Sequence, residues 1–272
     1  MEKELYIDGD ILPYRVGFAT QRTIYVLDLE GEHTCSPFLI TRSKRQVTKY
    51  VKENPGVLVH EYFYVEEPIQ AINTLKLMIQ SIVKGSGCHR FKVVVSGPTN
   101  YREEIATIQK YKGNRDGSEK PVHWQMLRDW LETMPYTIVT DNEEADDVLS
   151  RAMMAGHVGA SIDKDLNNTP GTHYNFVKGE IYEVSDEQAS RNFYTQCLTG
   201  DTADHIPGIR GIGPAKAAKL LTGKNDVASM ERTVLEEYAK HYDDPVAALT
   251  EVGQLLWMRR KENEMWKPVT SS

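Results

Sequence analysis

The run Asp141-Asn142-Glu143-Glu144-Ala145-Asp146-Asp147 packs five carboxylates into seven positions, directly before "VLSRAMMAG", which reads as a helix. Like charges this close disturb one another's ionisation. A helix start accommodates one or two acids, because they cap free N–H groups and suit the macrodipole. Five need a further reason, and a bound cation is the chemistry that would supply one. Taken alone, the run favours a solvated helix start; acids elsewhere shift the balance. "ELYID" (4–8) reads as a buried strand ending on Asp8, and "HVGASID" (157–163) as a strand leading to Asp163 and Asp165. The acidic helix follows the strand "YTIV" (136–139). In open parallel sheets, sites form beyond the carboxyl ends of the strands. Three separate stretches thus deliver carboxylates to one rim.

A second run with chemical content is "GDTADHIPGIRGIGPAKAAKLL" (200–221). Asp201 and Asp204 stand one helical turn apart and can face the same way. Gly208, Gly211 and Gly213 alternate with Ile206, Ile209 and Ile212, a pattern suited to a tight turn with outward N–H groups. Pro214 suits the first turn of the helix that follows. A helix N-terminus beside Lys216 and Lys219 can cradle phosphates without reading bases. The plain alternative is a glycine-rich helix–helix connection.

The bulk composition is that of a globular chain. It has 272 residues, 40% hydrophobic and 26% charged, enough for one large domain or a domain with a smaller lobe. No long apolar run predicts a membrane span, and "MEKELYIDGD" does not read as a signal peptide. The three cysteines, Cys35, Cys88 and Cys197, are far apart, which argues against a disulfide framework or structural zinc and suits a reducing cytoplasm. The eight histidines form no H-x-x-x-H pair, so any metal would be held by oxygen, which points to Mg2+ or Mn2+. Net charge is −7, yet the charges are segregated: "KYKGNR" (110–115) and His205–Lys224 carry basic residues and no acids. Such a chain can grip phosphates at one place and hold cations at another.

The elements that must position these groups follow from hydrophobic period. Besides the strands above, 22–41 reads as two strands around a Glu30-Gly31 turn, 43–54 as a helix capped by Ser43, and 56–65 as a strand. An amphipathic helix spans 67–85 and ends at Gly85; a buried strand spans 90–97; 98–121 is polar loop or helix; 122–134 is helical. A hairpin over 173–184 turns at Lys178-Gly179, and the remainder is helical. Strands alternating with helices predict an α/β core with a mainly parallel central sheet flanked by helices, followed by a helical C-terminal lobe. The expected domains are 1–184 and 185–272.

With these motifs in order, the chain resembles the structure-specific 5′-nucleases: flap endonucleases, 5′-nuclease domains of bacterial DNA polymerases, and bacteriophage 5′→3′ exonucleases. "YIDGD" resembles their first metal-binding strand, "YKGNR" (111–115) the arch over the active site, and "EEADD" (143–147) the E-x-D-D helix. "SIDKDL" (161–166) resembles the S-x-D-x-D-L strand end, and 200–221 the helix–three-turn–helix. The resemblance covers about residues 4–221. It implies a PIN-like 5′-nuclease core with a short arch over about 98–121.

It also implies that Asp8, Glu144, Asp146, Asp147, Asp163, Asp165, Asp201 and Asp204 surround two or more divalent cations, Mg2+ or Mn2+. Asp8, Asp146, Asp147 and Asp163 would be the near ligands. Asp141 and Glu143 would remain ordinary helix-start acids. Lys112 and Arg115 would stabilise charge on the scissile phosphate, Tyr111 would stack on a displaced base or sit in the core, and Arg102 would stand at the base of the arch. Gly208, Gly211, Gly213, Lys216 and Lys219 would hold duplex backbone, with K+ as a candidate aid.

The implied activity is hydrolysis of DNA at 5′ ends or flaps, an RNA-primed duplex being a further candidate substrate. The implied setting is a monomer, with no membrane partner, in the cytoplasm of a bacterial cell or phage-infected host. One departure stands out. Relatives commonly carry an aspartate at the end of the strand before the arch, whereas this chain has Ser96-Gly97. The ligand is lost, supplied from elsewhere or replaced by water. Residues 20–65 also look like extra strands. Two other readings remain: a non-catalytic DNA-binding protein of the same fold, and a PIN-type ribonuclease.

Overall fold

A computed structural model describes residues 2–29, 39–115, 117 and 119–269. In chain order its elements are β1 (Leu5–Asp8), α1 (Ile11–Ala19), β2 (Gln21–Leu29), β3 (Leu39–Thr41), α2 (Lys44–Glu53), β4 (Val57–Val65) and α3 (Pro68–Ser86). There follow β5 (Phe91–Val95), α4 (Tyr101–Ile105), α5 (Trp124–Glu132), β6 (Thr137–Val139), α6 (Ala145–Met154) and β7 (Val158–Ala160). The chain continues through β8 (Gly171–Asn175), β9 (Glu180–Val184), α7 (Asp186–Thr199), α8 (Pro214–Leu221), α9 (Val227–Tyr238) and α10 (Pro245–Leu256). Short 3-10 turns lie at Gly113–Arg115 and Lys164–Asn168. The expected Glu30-Gly31 turn and Cys35 lie outside the described residues.

The chain divides into two compact units, one of residues 1–10, 79–118 and 131–272, the other of residues 11–78 and 119–130. Compactness therefore groups the C-terminal helices with the sheet instead of separating them at residue 185. In the first unit a six-stranded sheet has the order β6-β5-β1-β7-β8-β9, parallel except for the β8–β9 hairpin. Parallel strands are covered on both faces and read as continuous apolar runs. Accordingly Leu5, Ile7, Val93, Val94, Val95 and Ala160 are fully buried. The period of Ala145, Leu149 and Met153 sets one face of α6 against Val94, Leu166 and Met258. That packing, and the central place of β1, fix the rim where the acids stand.

The C-terminal helices share a separate core in which Phe193, Cys197, Leu198, Val234, Leu249 and Val252 are buried. Ser185 caps α7, accepting from the Gln188 amide, and the Gln188 side chain accepts the Ser185 amide in return. After α7 the chain doubles back: Asp201 and Ile206 form an isolated antiparallel bridge, and a Cβ at Gly208 would lie 2.2 Å from the Thr199 carbonyl carbon. Only glycine allows that backbone approach.

In the second unit, β3-β2-β4 form an antiparallel sheet running from Gln21↔Val65 to Leu29↔Val57, and Val47 of α2 packs on Tyr25 and Leu27. These are the extra strands expected over 20–65. Ser43 caps α2 as expected. Two local differences have physical causes, at Gly85 and at α1, while 98–121 is loop and helix as expected. Helix α3 passes through Gly85, whose missing Cβ admits the Tyr174 hydroxyl 2.0 Å from where that atom would be; the chain turns at Gly87, with φ 71°. Residues 98–121 contain α4 and a 3-10 turn. Helix α1 had no sequence expectation, although Pro13 sits in its first turn, where the missing N–H costs nothing. Among the described residues no helix is long and apolar enough to cross a membrane.

Candidate functional site

The carboxylates at the rim fall into groups with different surroundings. Asp8 ends β1, buried, with Oδ2 accepting from Ser161 Oγ at 2.8 Å and Oδ1 accepting from the Asp10 amide at 3.1 Å. Burial, then the neighbouring Asp10 and Asp163 charges, push its carboxyl up to about 7. Asp146, in the first turn of α6, is raised by burial and by Asp8 and Asp163, and its buried Oδ1 has no hydrogen-bond partner. Asp163 opens the 3-10 turn after β7 and accepts the Asp165 amide at 2.9 Å. Asp165 is also pushed up to about 7, by burial, by its hydrogen bond with Asp201 and by Asp163. Gln196 donates to Asp165 at 2.6 Å, and Asp201 accepts the Ala203 amide at 2.7 Å.

A second set of acids already has cationic partners. Asp147, fully buried, takes a bidentate pair from Arg102 at 2.7 and 2.9 Å, plus the amides of Arg259 at 2.8 Å and Glu144 at 3.1 Å. Burial alone would raise its carboxyl; the Arg102 guanidinium holds it below the usual range. Arg102 also donates to the Leu255 carbonyl at 3.0 Å and the Trp257 carbonyl at 2.6 Å. Glu144 accepts from Lys112 and, at 2.9 Å, from the Tyr111 hydroxyl, which also reaches Asp204 at 3.0 Å. Arg115 pairs with Asp204, and the Lys112 ammonium lies 3.7 Å from it. Burial opposes charge on both Lys112 and Glu144, yet Arg102 and then Lys112 hold the Glu144 carboxyl low, and Glu144 with Asp204 raises Lys112. Lys112 holds a left-handed φ of 53° and donates its amide to the Asp204 carbonyl at 2.8 Å.

Oxygen donors alone, crowded and partly protonated, with one buried oxygen left unpartnered, suit a hard divalent cation. Among the described residues, as placed, no three His, Cys, Asp or Glu side chains form a finished ligand cage. Asp8 and Asp163 nonetheless lie near enough to Asp146 to raise its carboxyl, and Asp163 raises that of Asp8 as well. Their repulsion has a measurable sign. Asp8 and Asp165 keep protons up to about 7 that the unfolded chain gives up near about pH 4. Stability of the metal-free protein should therefore fall as pH rises from about 4 to about 7. Urea unfolding across that range checks this, and a rise in stability over the window would contradict it.

At the helix–turn–helix, Ile206, Ile209 and Ile212 are buried, Gly211 has φ 81°, and Gly213 caps α8 with Pro214 at its start. Lys216 and Lys219 lie exposed on α8. The Ile209 and Ile212 amides donate to the Leu198 and Ile209 carbonyls, and two solvated ammonium groups stand on the helix that follows.

No family model matches the chain. Its fold aligns with the bacteriophage T5 flap endonuclease, solved in a complex with DNA and metal ions, over 93% of this chain and 89% of that one (TM-score 0.56, 15% identity). This is the 5′-nuclease fold. The T5 protein co-crystallised with metal ions aligns with TM-score 0.54 at 15% identity, over 93% of this chain and 89% of that one. In sequence the chain is 24% identical to a 5′-3′ exonuclease of Mycoplasma pneumoniae, over 81% of this chain and 72% of that protein. It is 33% identical to DNA polymerase I of Rhizobium leguminosarum over 34% of this chain, and 30% identical to that of Bacillus caldotenax over 53%. The chain spans only 11% and 19% of those two polymerases.

On this 5′-nuclease frame, Asp8, Asp146 and Asp163 stand together with Asp165 and Asp201 close by, whereas the expected near ligand Asp147 does not point into the group. Among the described residues its carboxylate accepts from Arg102, Arg259 and Glu144. Arg102 is correspondingly a buried ion-pair partner and has no free face for DNA. Tyr111 is 5% exposed in the helical core, so of its two expected places the core is the one it takes. Asp141 is exposed, as expected of a helix-start acid, but Glu143 forms a bidentate pair with Arg151 at 2.5 and 2.7 Å. Asp10 is the rim acid that sequence reasoning passed over. Its signal was present: in "DGD", positions 8 and 10 share one side of an extended chain.

Proposed function

We propose that the chain is a divalent-metal-dependent 5′→3′ exonuclease or flap endonuclease acting on DNA with a 5′ end or flap. The observation that carries this reading is the meeting of Asp8, Asp146 and Asp163 at the carboxyl edge of the sheet, with the buried Asp146 Oδ1 unpartnered. Asp8, Asp146 and Asp163 would hold Mg2+ or Mn2+, with Asp165 and Asp201 serving a second ion. Two such ions, when bound, would supply a hydroxide nucleophile and charge stabilisation at the leaving oxygen. Glu144 and Asp204 hold Lys112 and Arg115 beside that group. An incoming phosphate can draw these cations off the carboxylates and use them against its own developing charge.

If Lys112 acts this way, Lys112→Ala should lower the single-turnover rate by about a hundredfold, with a much smaller effect on DNA affinity. Weaker binding with a normal saturated rate would make Lys112 a positioning contact. The turn at 208–213 would hold duplex by its backbone, with K+ as a candidate aid, and Lys216 and Lys219 would meet phosphates. Lys216→Ala and Lys219→Ala should then each reduce the salt slope of duplex binding by about one, for all sequences alike. An unchanged slope would leave them as plain surface charges.

The reading includes a monomer working in the cytoplasm of a bacterial or phage-infected cell, and an RNA-primed duplex as a further substrate. The test of substrate class is parallel incubation in Mg2+ of a 5′-labelled flapped DNA duplex and a labelled single-stranded RNA. The duplex should be cut, with product length reporting exonuclease or flap mode. Cleavage of the RNA alone would favour a PIN-type ribonuclease.

A further inference from the structure

We infer that Asp10 belongs to the cation-holding set of carboxylates and carries the negative charge that the end of β5 lacks. The inference rests on the reading of this rim as a divalent-cation site. The chain path puts Asp10 there. Gly9 donates to the Val94 carbonyl at 2.7 Å, and a Cβ at Gly9 would lie 2.6 Å from that oxygen. The backbone therefore leaves β1 flat against β5 and carries Asp10 to the end of that strand. There the Asp10 carboxylate accepts the Ser96 amide at 3.0 Å with one oxygen and the Ser96 hydroxyl with the other. Ser96 Oγ in turn accepts the Ala145 amide at 2.9 Å, one residue before Asp146. On its other side, the Asp10 amide donates to Asp8 Oδ1 at 3.1 Å. Asp10 is thus joined by hydrogen bonds to both elements that bear the central acids.

The end of β5 itself offers no acid. Ser96 is neutral, and a side chain at Gly97 would begin 2.0 Å from the Thr140 carbonyl oxygen. Placing a further carboxylate against Asp8 and Asp146 is unfavourable in the absence of a cation, and Asp10 is among the charges that raise both. A role confined to holding Ser96 would not require the charge, because an asparagine can accept from the amide and donate to the hydroxyl.

The experiment is calorimetric titration of Mn2+ into the metal-free chain, as wild type, Asp10→Asn and Asp8→Asn, with thermal melts in chelator. Asp10→Asn should weaken Mn2+ binding by about ten- to a hundredfold, while its metal-free melting temperature stays level or rises. In the Asp10→Asn background, Ser96→Asp should recover part of the lost affinity. Mn2+ binding by Asp10→Asn within twofold of wild type, with Asp8→Asn impaired, overturns the role of Asp10 and leaves the cation site standing. Binding unchanged in both variants overturns the cation site and this inference together.

Discussion

Asp146→Asn should abolish cleavage of a flapped duplex while leaving the metal-free protein as stable as wild type, or more so. The substitution keeps shape and removes a charge that burial, Asp8 and Asp163 already disfavour. The metal-free fold therefore loses nothing electrostatically and is relieved of repulsion. Turnover loses an oxygen donor from the ion site. An ion contributes several kcal/mol of transition-state charge stabilisation, so the single-turnover rate should drop by about a thousandfold or more. A near-normal rate in Mg2+ would remove Asp146 from the site. A variant that is inactive because it is unfolded would show that the side chain is structural.

The adjacent acid should behave in the opposite way. Asp147→Asn should cost about 3 kcal/mol of stability, because it takes the bidentate counter-charge from the buried Arg102 guanidinium and leaves it the Glu144 carboxylate at 3.6 Å. Arg102 would keep its carbonyl partners, Leu255 and Trp257, and the more distant Glu144 carboxylate, but lose its bidentate counter-charge. The double replacement Arg102→Met with Asp147→Leu should recover much of that loss, since buried pairs are often replaceable by apolar residues of similar volume. The Asp147 carboxyl is held low in the fold, so its stabilisation is present at neutral pH and disappears as pH falls through its folded pKa, below the ordinary carboxylate range. Denaturant unfolding of the single and double variants measures this. A single variant as stable as wild type would return Asp147 to the candidate ligands.

The contrast between residues 146 and 147 marks where sequence reasoning reached and where it stopped. Helix start, strand ends and the glycine turn were legible because each is written in local period or local turn chemistry. Ile206, Ile209 and Ile212 alternate with glycines, and all three are buried. The sorting of acids was not legible, because the deciding partners are distant in sequence. Arg102 is 45 residues from Asp147, and the Arg259 amide is 112 residues away. Tyr111 likewise is drawn into the core by α7 and α9 residues such as Phe193 and Val234, which its own neighbours do not foretell. Gly85 reads as a helix end on propensity, yet a tertiary contact with Tyr174 accounts for it. Asp10 escaped notice although its spacing from Asp8 was local, since its meaning depends on the turn at Gly9 that lays it against Ser96.

The central claim is that the rim carboxylates hold divalent cations with which the chain hydrolyses DNA. Its most direct test is single-turnover cleavage of a 5′-labelled flapped duplex by the wild-type chain, followed from excess chelator through rising Mg2+. The expected result is no product in chelator and a rate that climbs with Mg2+ into the millimolar range, on the order of typical cellular supply, as carboxylate sites for this weakly dehydrating ion require. Full-rate cleavage in chelator would contradict the account. So would duplex binding without cleavage at every concentration of Mg2+ or Mn2+, which would leave the fold as a DNA-binding module alone.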